Sequence, residues 1–241
     1  MMEGGGGENG GVPGDPHSKF GMSPAQTTLA GEQLLLSPER AIVWPRREML
    51  LIADPHFGKA ATFRALGVRA PNGTTALSLE RIDRLIAEHQ PKRLVFLGDF
   101  LHAREGRNAN TFAALAAWRG SHATLDVRLI RGNHDRRAGD PPSEVGIECI
   151  DGPVIEAPFA LTHHPIAVAG RYVLAGHMHP CVTLSGAARQ RERLRCFWFG
   201  ADVGVLPAFG EFTGCASIEP SSSDAVWAVA DERVMRVTIA V

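Results

Sequence analysis

Short apolar runs, each broken off by a turn-forming or charged cluster, set the rhythm of this chain. Residues 33–36, 41–44 and 49–53 are such runs, separated by Ser-Pro and Pro-Arg-Arg punctuation. They predict three strands with tight connections, the third ending on Asp54. In residues 78–89, Leu79, Ile82, Leu85 and Ile86 recur at helical spacing with charges between them, and the chain then passes through Pro91 into the apolar run 94–97. That order predicts a helix feeding a buried strand. It recurs with a helix-like stretch at 108–118 and a strand-like run at 127–130, after which Gly132 follows at once. From Gly152 onward the pattern changes to β-rich runs at 160–162, 172–175, 196–199 and 233–241, with no internal repeat. Two packed sheets with helices outside fit this succession, in an α/β fold whose loops carry the chemistry.

Composition bounds the picture further. Residues 1–28 are rich in glycine and proline, too poor in apolar surface to offset the entropy of ordering, and are expected to be a flexible tail ahead of one domain at 29–241. A length of 241 residues, with 44% hydrophobic and 21% charged residues, is ordinary for one folded domain with a substantial core. Lys and Arg number 25 against 26 Asp and Glu, so any polyanion must be met by a local patch and not by net charge. The four cysteines, Cys149, Cys181, Cys196 and Cys215, include no C-x-x-C pair and are expected to be reduced thiols. No run approaches the roughly 20 apolar residues of a membrane span, and the first 28 residues lack a signal-peptide core. The expected location is the cytoplasm, with no membrane partner.

Where the apolar runs end, potential metal ligands begin. Asp54-Pro-His56 follows the third strand, and Gly98-Asp99 follows the run 94–97. Gly132-Asn133-His134-Asp135 follows 127–130, His163-His164-Pro165 follows 160–162, and Gly176-His177-Met178-His179 follows 172–175. Any one of these is more simply a cap or turn. Together they are five clusters of carboxylate, amide and imidazole that meet at one sheet edge if their strands are neighbours.

In order and composition the five motifs resemble those of the calcineurin-like metallophosphoesterase superfamily, D-x-H, G-D, G-N-H-[DE], H and G-H-x-H. The resemblance implies a four-layer α/β/β/α sandwich with mixed sheets and a site for two divalent cations. One cation would take Asp54, His56, Asp99 and His179. The other would take Asp99, Asn133, His163 and His177, with Asp99 shared. His163 is preferred to His164 because the family places that histidine at the strand end, although a doublet lets either ring reach inward. Two cations about 3.5–4 Å apart would bind phosphate oxygens and generate a bridging hydroxide as nucleophile. His134 would then act as general acid, oriented by Asp135; a surface helix-start pair is the plainer reading of these two residues.

The residues between the motifs narrow the resemblance to the ligase-associated DNA-damage-response endonucleases called PdeM, over roughly residues 29–220. They are 54–59, 62–67, 98–104, 131–140 and 206–214. That implies manganese (iron, zinc and others being possible), a DNA substrate, and association with an ATP-dependent DNA ligase and an Lhr-type helicase. Lys59, Arg64, Arg104, Arg107, Arg131, Arg136 and Arg137 flank the motifs and are candidates for a phosphate-binding rim, or else solvated and locally paired side chains. Arg189, Arg191, Arg193 and Arg195 alternate as a charged hairpin edge would. Pro207, Phe209 and Phe212 make a loop pinned to the core by aromatics, or alternatively a ledge for a base. A small-molecule or cyclic-nucleotide phosphodiesterase and a catalytically silent scaffold are the competing functions. The absence of H-E-x-x-H argues against a zinc protease.

Overall fold

A computed structural model describes residues 23–185 and 191–239; residues 1–22 of the expected tail, Arg189 and residues 240–241 lie outside the described residues. The first sheet holds β1 (Ala25–Leu29), β2 (Glu32–Leu36), β3 (Ala41–Trp44), β4 (Met49–Ile52), β5 (Arg93–Leu97), β6 (Asp126–Ile130) and β7 (Glu148–Ile150) side by side in chain order. β1 to β4 pair antiparallel, and β4 to β7 pair parallel. Between β4 and β7 run the helices α1 (Lys59–Ala65), α2 (Thr74–His89), α3 (Ala109–Ser121) and α4 (Asn133–Ala138). The second sheet collects β8 (Val154–Glu156), β9 (Phe159–Leu161), β10 (Tyr172–Ala175), β11 (Pro180–Ser185), β12 (Arg191–Phe199), β13 (Val203–Val205) and β14 (Ala216–Ser217) in the order β14-β11-β12-β13-β10-β9-β8. β15 (Ala225–Ala230) pairs with β12, and β16 (Arg233–Val237) pairs with β15. The result is an α/β fold of two mixed sheets, as expected, and no helix longer than one 3-10 turn follows α4 among the described residues.

The continuous apolar strands are explained by burial on both faces. Leu50 and Ile52 of β4 face the helix layer with Ile82, Leu85, Leu115 and Trp118, whereas Met49, Leu51 and Ala53 face Phe159, Leu174 and Phe197 of the second sheet. A period-2 strand thus divides its side chains between two cores, each buried leucine stabilising the fold by roughly 1.5–3 kcal/mol. No helix among the described residues is long and apolar enough to cross a membrane.

Two expectations need correction. Residues 25–28, assigned to the tail, belong to β1, which pairs with β2 from Ala25↔Leu36 to Leu29↔Glu32. Its alternating half-buried pattern is weak in sequence and gains its partner only when β2 is laid beside it. Cys181 and Cys215 form a disulfide with their Cα atoms 5.7 Å apart, and only Cys149 and Cys196 are free. The two cysteines are 34 residues apart in sequence, and it is the parallel pairing of β11 with β14 that brings them together.

Candidate metal centre

Strand polarity builds the site. β4, β5 and β6 are parallel, so Asp54, Asp99 and Asn133 emerge at the same edge of the first sheet; β9 and β10 are parallel too, and deliver His163 and His177 from the second. The chain turns sharply at each exit. Asp54, His56, Asp99, His177 and His179 all have positive φ, between 47° and 72°. Such conformations cost about 1–3 kcal/mol apiece for residues with a Cβ and persist only where the surroundings over-determine them. Gly98 has φ +81°, and a Cβ there would fall on the His163 ring. One at Gly176 would lie 2.6 Å from Asp54 Oδ2. These glycines let the backbone of one motif touch the ligand of another.

Two groups of acceptor atoms converge. In the first, His56 Nε2 lies 3.4 Å from His179 Nε2 and 3.8 Å from Asp99 Oδ2, while His179 Nε2 lies 3.6 Å from Asp54 Oδ2. In the second, His163 donates from Nδ1 to the Leu97 carbonyl (3.1 Å), which fixes its tautomer and leaves the Nε2 lone pair pointing inward. That Nε2 is 3.0 Å from Asn133 Oδ1, 3.1 Å from His177 Nδ1 and 3.4 Å from Asp99 Oδ1. Asp99 therefore reaches both groups through different oxygens. His164 is half-buried and packs edge-on against His163 and His177, whereas His163 is only 1% exposed.

The electrostatics call for cations. Burial and the neighbouring Asp99 charge hold the Asp54 carboxyl well above the ordinary carboxylate range, and Asp54 Oδ1 is buried with no hydrogen-bond partner. Desolvation pushes His163 and His179 down to about 4, and His56 lower still, so these imidazoles are neutral lone-pair donors at pH 7. An orphaned carboxylate oxygen among neutral imidazoles and an amide oxygen is a donor set that fits divalent metal ions. One group, Asp54, His56, Asp99 and His179, has ligand atoms all within 4.8 Å of one another.

The calcineurin-like phosphoesterase family model matches residues 48–181, which takes in all of these ligands up to His179. The chain belongs to this family. It is a metal-dependent phosphoesterase. Among solved structures, the Pseudomonas putida nuclease MPE is 44% identical, covers 89% of this chain and 100% of its own, and has a TM-score of 0.80. YfcE, a phosphoesterase from E. coli, is 15% identical over 80% of this chain and 99% of its own, with a TM-score of 0.39. No curated protein matches the chain.

Around the ligands of this phosphoesterase the structure revises several assignments. His134 stands beside the centre: its N–H donates to Asp99 Oδ1 (3.0 Å), its Nδ1 donates to the His102 carbonyl (2.6 Å), and its Nε2 lies 3.9 Å from Asp99 Oδ2. Asp135 does not orient it. The Asp135 carboxylate accepts from Leu101 N–H (3.1 Å) and Gly132 N–H (2.9 Å), so it fastens two strand-end loops together and caps α4, and burial raises it to about 6. His102, outside the five motifs, has Nδ1 3.3 Å from His56 Nδ1 and stacks on His134. Its spacing three residues after Asp99 was the available signal.

The cationic rim is mostly spent elsewhere. Arg64 donates to the Ala70 and Pro71 carbonyls, Arg107 to those of Gly139 and Asp140, Arg131 pairs with Asp140 and Asp151, and Arg136 with Asp151. Lys59 stays near the ligands, and desolvation lowers it against the pull of Asp99 and Asp54. Phe209 is fully buried in the core; Phe212 is half-buried, edge-on to Phe63, which stacks on His102. Arg193 and Arg195 do not simply protect a hairpin edge. They donate to the Cys215 and Thr213 carbonyls, while Arg40 and Arg81 hold those of Ala208 and Phe209. The loop so clamped donates Phe209 N–H to the Ala53 carbonyl and Gly210 N–H to that of Asp54, bracing the first motif from behind.

Proposed function

We propose that this phosphoesterase is a manganese-dependent DNA endonuclease of DNA repair, cytoplasmic, and working with an ATP-dependent DNA ligase and an Lhr-type helicase. The observation that carries the hydrolytic chemistry is Asp99 within reach of both ligand groups. The nuclease assignment draws its support from the 44% identical nuclease, and the metal and the partners from the motif resemblance. Asp54, His56, Asp99 and His179 would hold one cation, and Asp99, Asn133, His163 and His177 the second. When bound, such a pair supplies Lewis acidity at the phosphoryl oxygens and acidifies the attacking water.

The residues of the chain perform the rest. Hydrolysis forms one P–O bond to water and breaks the one to the leaving strand, whose oxygen must take up a proton. Because the His134 Nδ1–H is committed to the His102 carbonyl, the proton would come from Nε2 of the doubly protonated ring, leaving the imidazole neutral, and that atom faces the centre beside Asp99. Asp135 acts at a distance by holding the Gly132 and Leu101 loops in register.

Manganese-dependent cleavage of single-stranded and duplex DNA, measured beside a small diester and a monoester, tests this reading. DNA cleavage that vanishes in Asp99→Asn is the expected result. Turnover of small diesters with DNA spared would replace the nuclease by a small-molecule phosphodiesterase, and no metal-dependent turnover at all would favour a scaffold. His134→Ala is expected to lower kcat by about 10²–10⁴-fold with metal content retained. Stoichiometric loss of metal would make it a ligand instead.

A further inference from the structure

Next to His134 opens a cavity of 550 Å³ bounded by the 3-10 turn Arg104–Gly106 and α4. We propose that this cavity holds the leaving strand, and that Arg104 and Arg137 grip there a phosphate other than the one being cut. The inference rests on the nuclease reading and deepens it, by assigning one flank of the site to one side of the scissile bond.

Three observations carry it. His134 both lines the cavity and contacts Asp99, so it joins the ligand ring to this space. A group that protonates the leaving oxygen faces whatever departs, and in-line displacement puts the leaving oxygen opposite the nucleophile. The cavity is therefore on the exit side of the bond.

The second observation is how the cations of this face are used. Arg131 and Arg136 spend their charge on Asp140 and Asp151, and Arg107 turns to backbone carbonyls. Arg137, by contrast, is exposed, and its guanidinium has no hydrogen-bond or carboxylate partner among the described residues. Arg104 donates only Nε, to the Arg137 carbonyl at 2.9 Å, and its two terminal nitrogens are unclaimed among the described residues.

Third, that same bond ties the Arg104 head to the Arg137 backbone, so two uncommitted guanidinium groups are presented to one cavity from a fixed base, beside Arg136, which also lines it but pairs with Asp151. Glu105 is the one carboxylate in the lining, outnumbered by three arginines. Paired guanidiniums offer forked donors that match phosphate oxygens, and contacts of this kind position a strand without reading its bases.

Short substrates test the assignment. The manganese-loaded full chain is given a dinucleoside monophosphate, and the same compound with an added terminal phosphate on one end or on the other; the products show which nucleoside leaves. We expect a phosphate on the leaving nucleoside to raise kcat/KM on the order of tenfold through KM, with a much smaller gain at the opposite end. The ratio of the two gains should fall to about one in Arg104→Ala/Arg137→Ala. In Arg137→Lys part of the ratio should survive, since charge remains without the fork. Arg131→Met, outside the cavity, should keep the full ratio. Equal gains at both ends in the wild type, or a ratio that persists in the double variant, would overturn the subsite while leaving the nuclease reading intact. No turnover of any diester would instead remove the nuclease reading, and the subsite with it.

Discussion

The ligand ring and the arginine rim share one face of the molecule but are held by different physics. In the ring, each functional atom sits on a short side chain close to a backbone that sheet pairing has placed, and the left-handed turns at Asp54, Asp99 and His177 aim it. In the rim, each charge sits at the end of a long side chain on an exposed turn or short helix, free to find the nearest oxygen. Arg131 finds Asp140, at 2.7 Å from both Nε and Nη2, and Arg64 finds the Pro71 carbonyl at 2.5 Å. Backbone-placed groups keep their geometry without a ligand, whereas side-chain-placed charges satisfy themselves locally unless nothing is near. Among the described residues, Arg137 and the terminal nitrogens of Arg104 are what the rim leaves available.

Experiments can break or sharpen this contrast. The largest effect is expected for Asp99→Asn, which alters the carboxylate whose two oxygens lie against the inward-facing nitrogens of His56 and His163: turnover should vanish, and metal analysis should find both cations weakened. Retention of full metal content would mean that Asp99 is not shared. Gly98→Ala comes next, although it alters no ligand. With φ +81° and the His163 ring where the methyl would go, it should cost more than about tenfold in metal affinity and roughly 1–3 kcal/mol of stability, read by metal titration and thermal melting. Wild-type behaviour would show that the backbone does not pin the ring.

A smaller effect separates the histidine doublet. His163→Ala should release metal, while His164→Ala, which removes an edge-on neighbour whose ring nitrogen lies within 4.8 Å of those of His163 and His177, should change metal affinity by about tenfold or less. The reverse order would hand the ligand role to His164. Smallest of all, Arg136→Ala breaks a pair whose two side chains are each 60% exposed, and should shift stability by under about 1 kcal/mol in a denaturant melt. A larger loss would mean that the rim is a rigid part of the fold.

These differences also explain what could be read in the chain before folding. The strand runs ending at Asp54, Asp99, Asn133, His163 and His177 announce themselves by apolar burial on both faces, a property of local composition. β1 is not legible in the same way, because a half-buried edge strand beside a Gly-rich stretch has little apolar signal of its own. Asp135 points by sequence to its neighbour His134, whereas the N–H groups it accepts from belong to a different loop and to the helix cap. A lone histidine past a motif, such as His102, reads as surface until its ring is placed against His56.

By itself, then, the order of residues determined the apolar strands that lead to the site, the kinds of side chain at their ends and the family, because periodicity and strand-end chemistry are local. Three things waited for tertiary structure: that the Leu97 carbonyl sets the tautomer of His163, that Cys181 meets Cys215, and that most of the arginines are already engaged. Each depends on which oxygen or sulfur another strand brings within a few ångströms, a distance that sheet pairing sets and sequence spacing does not.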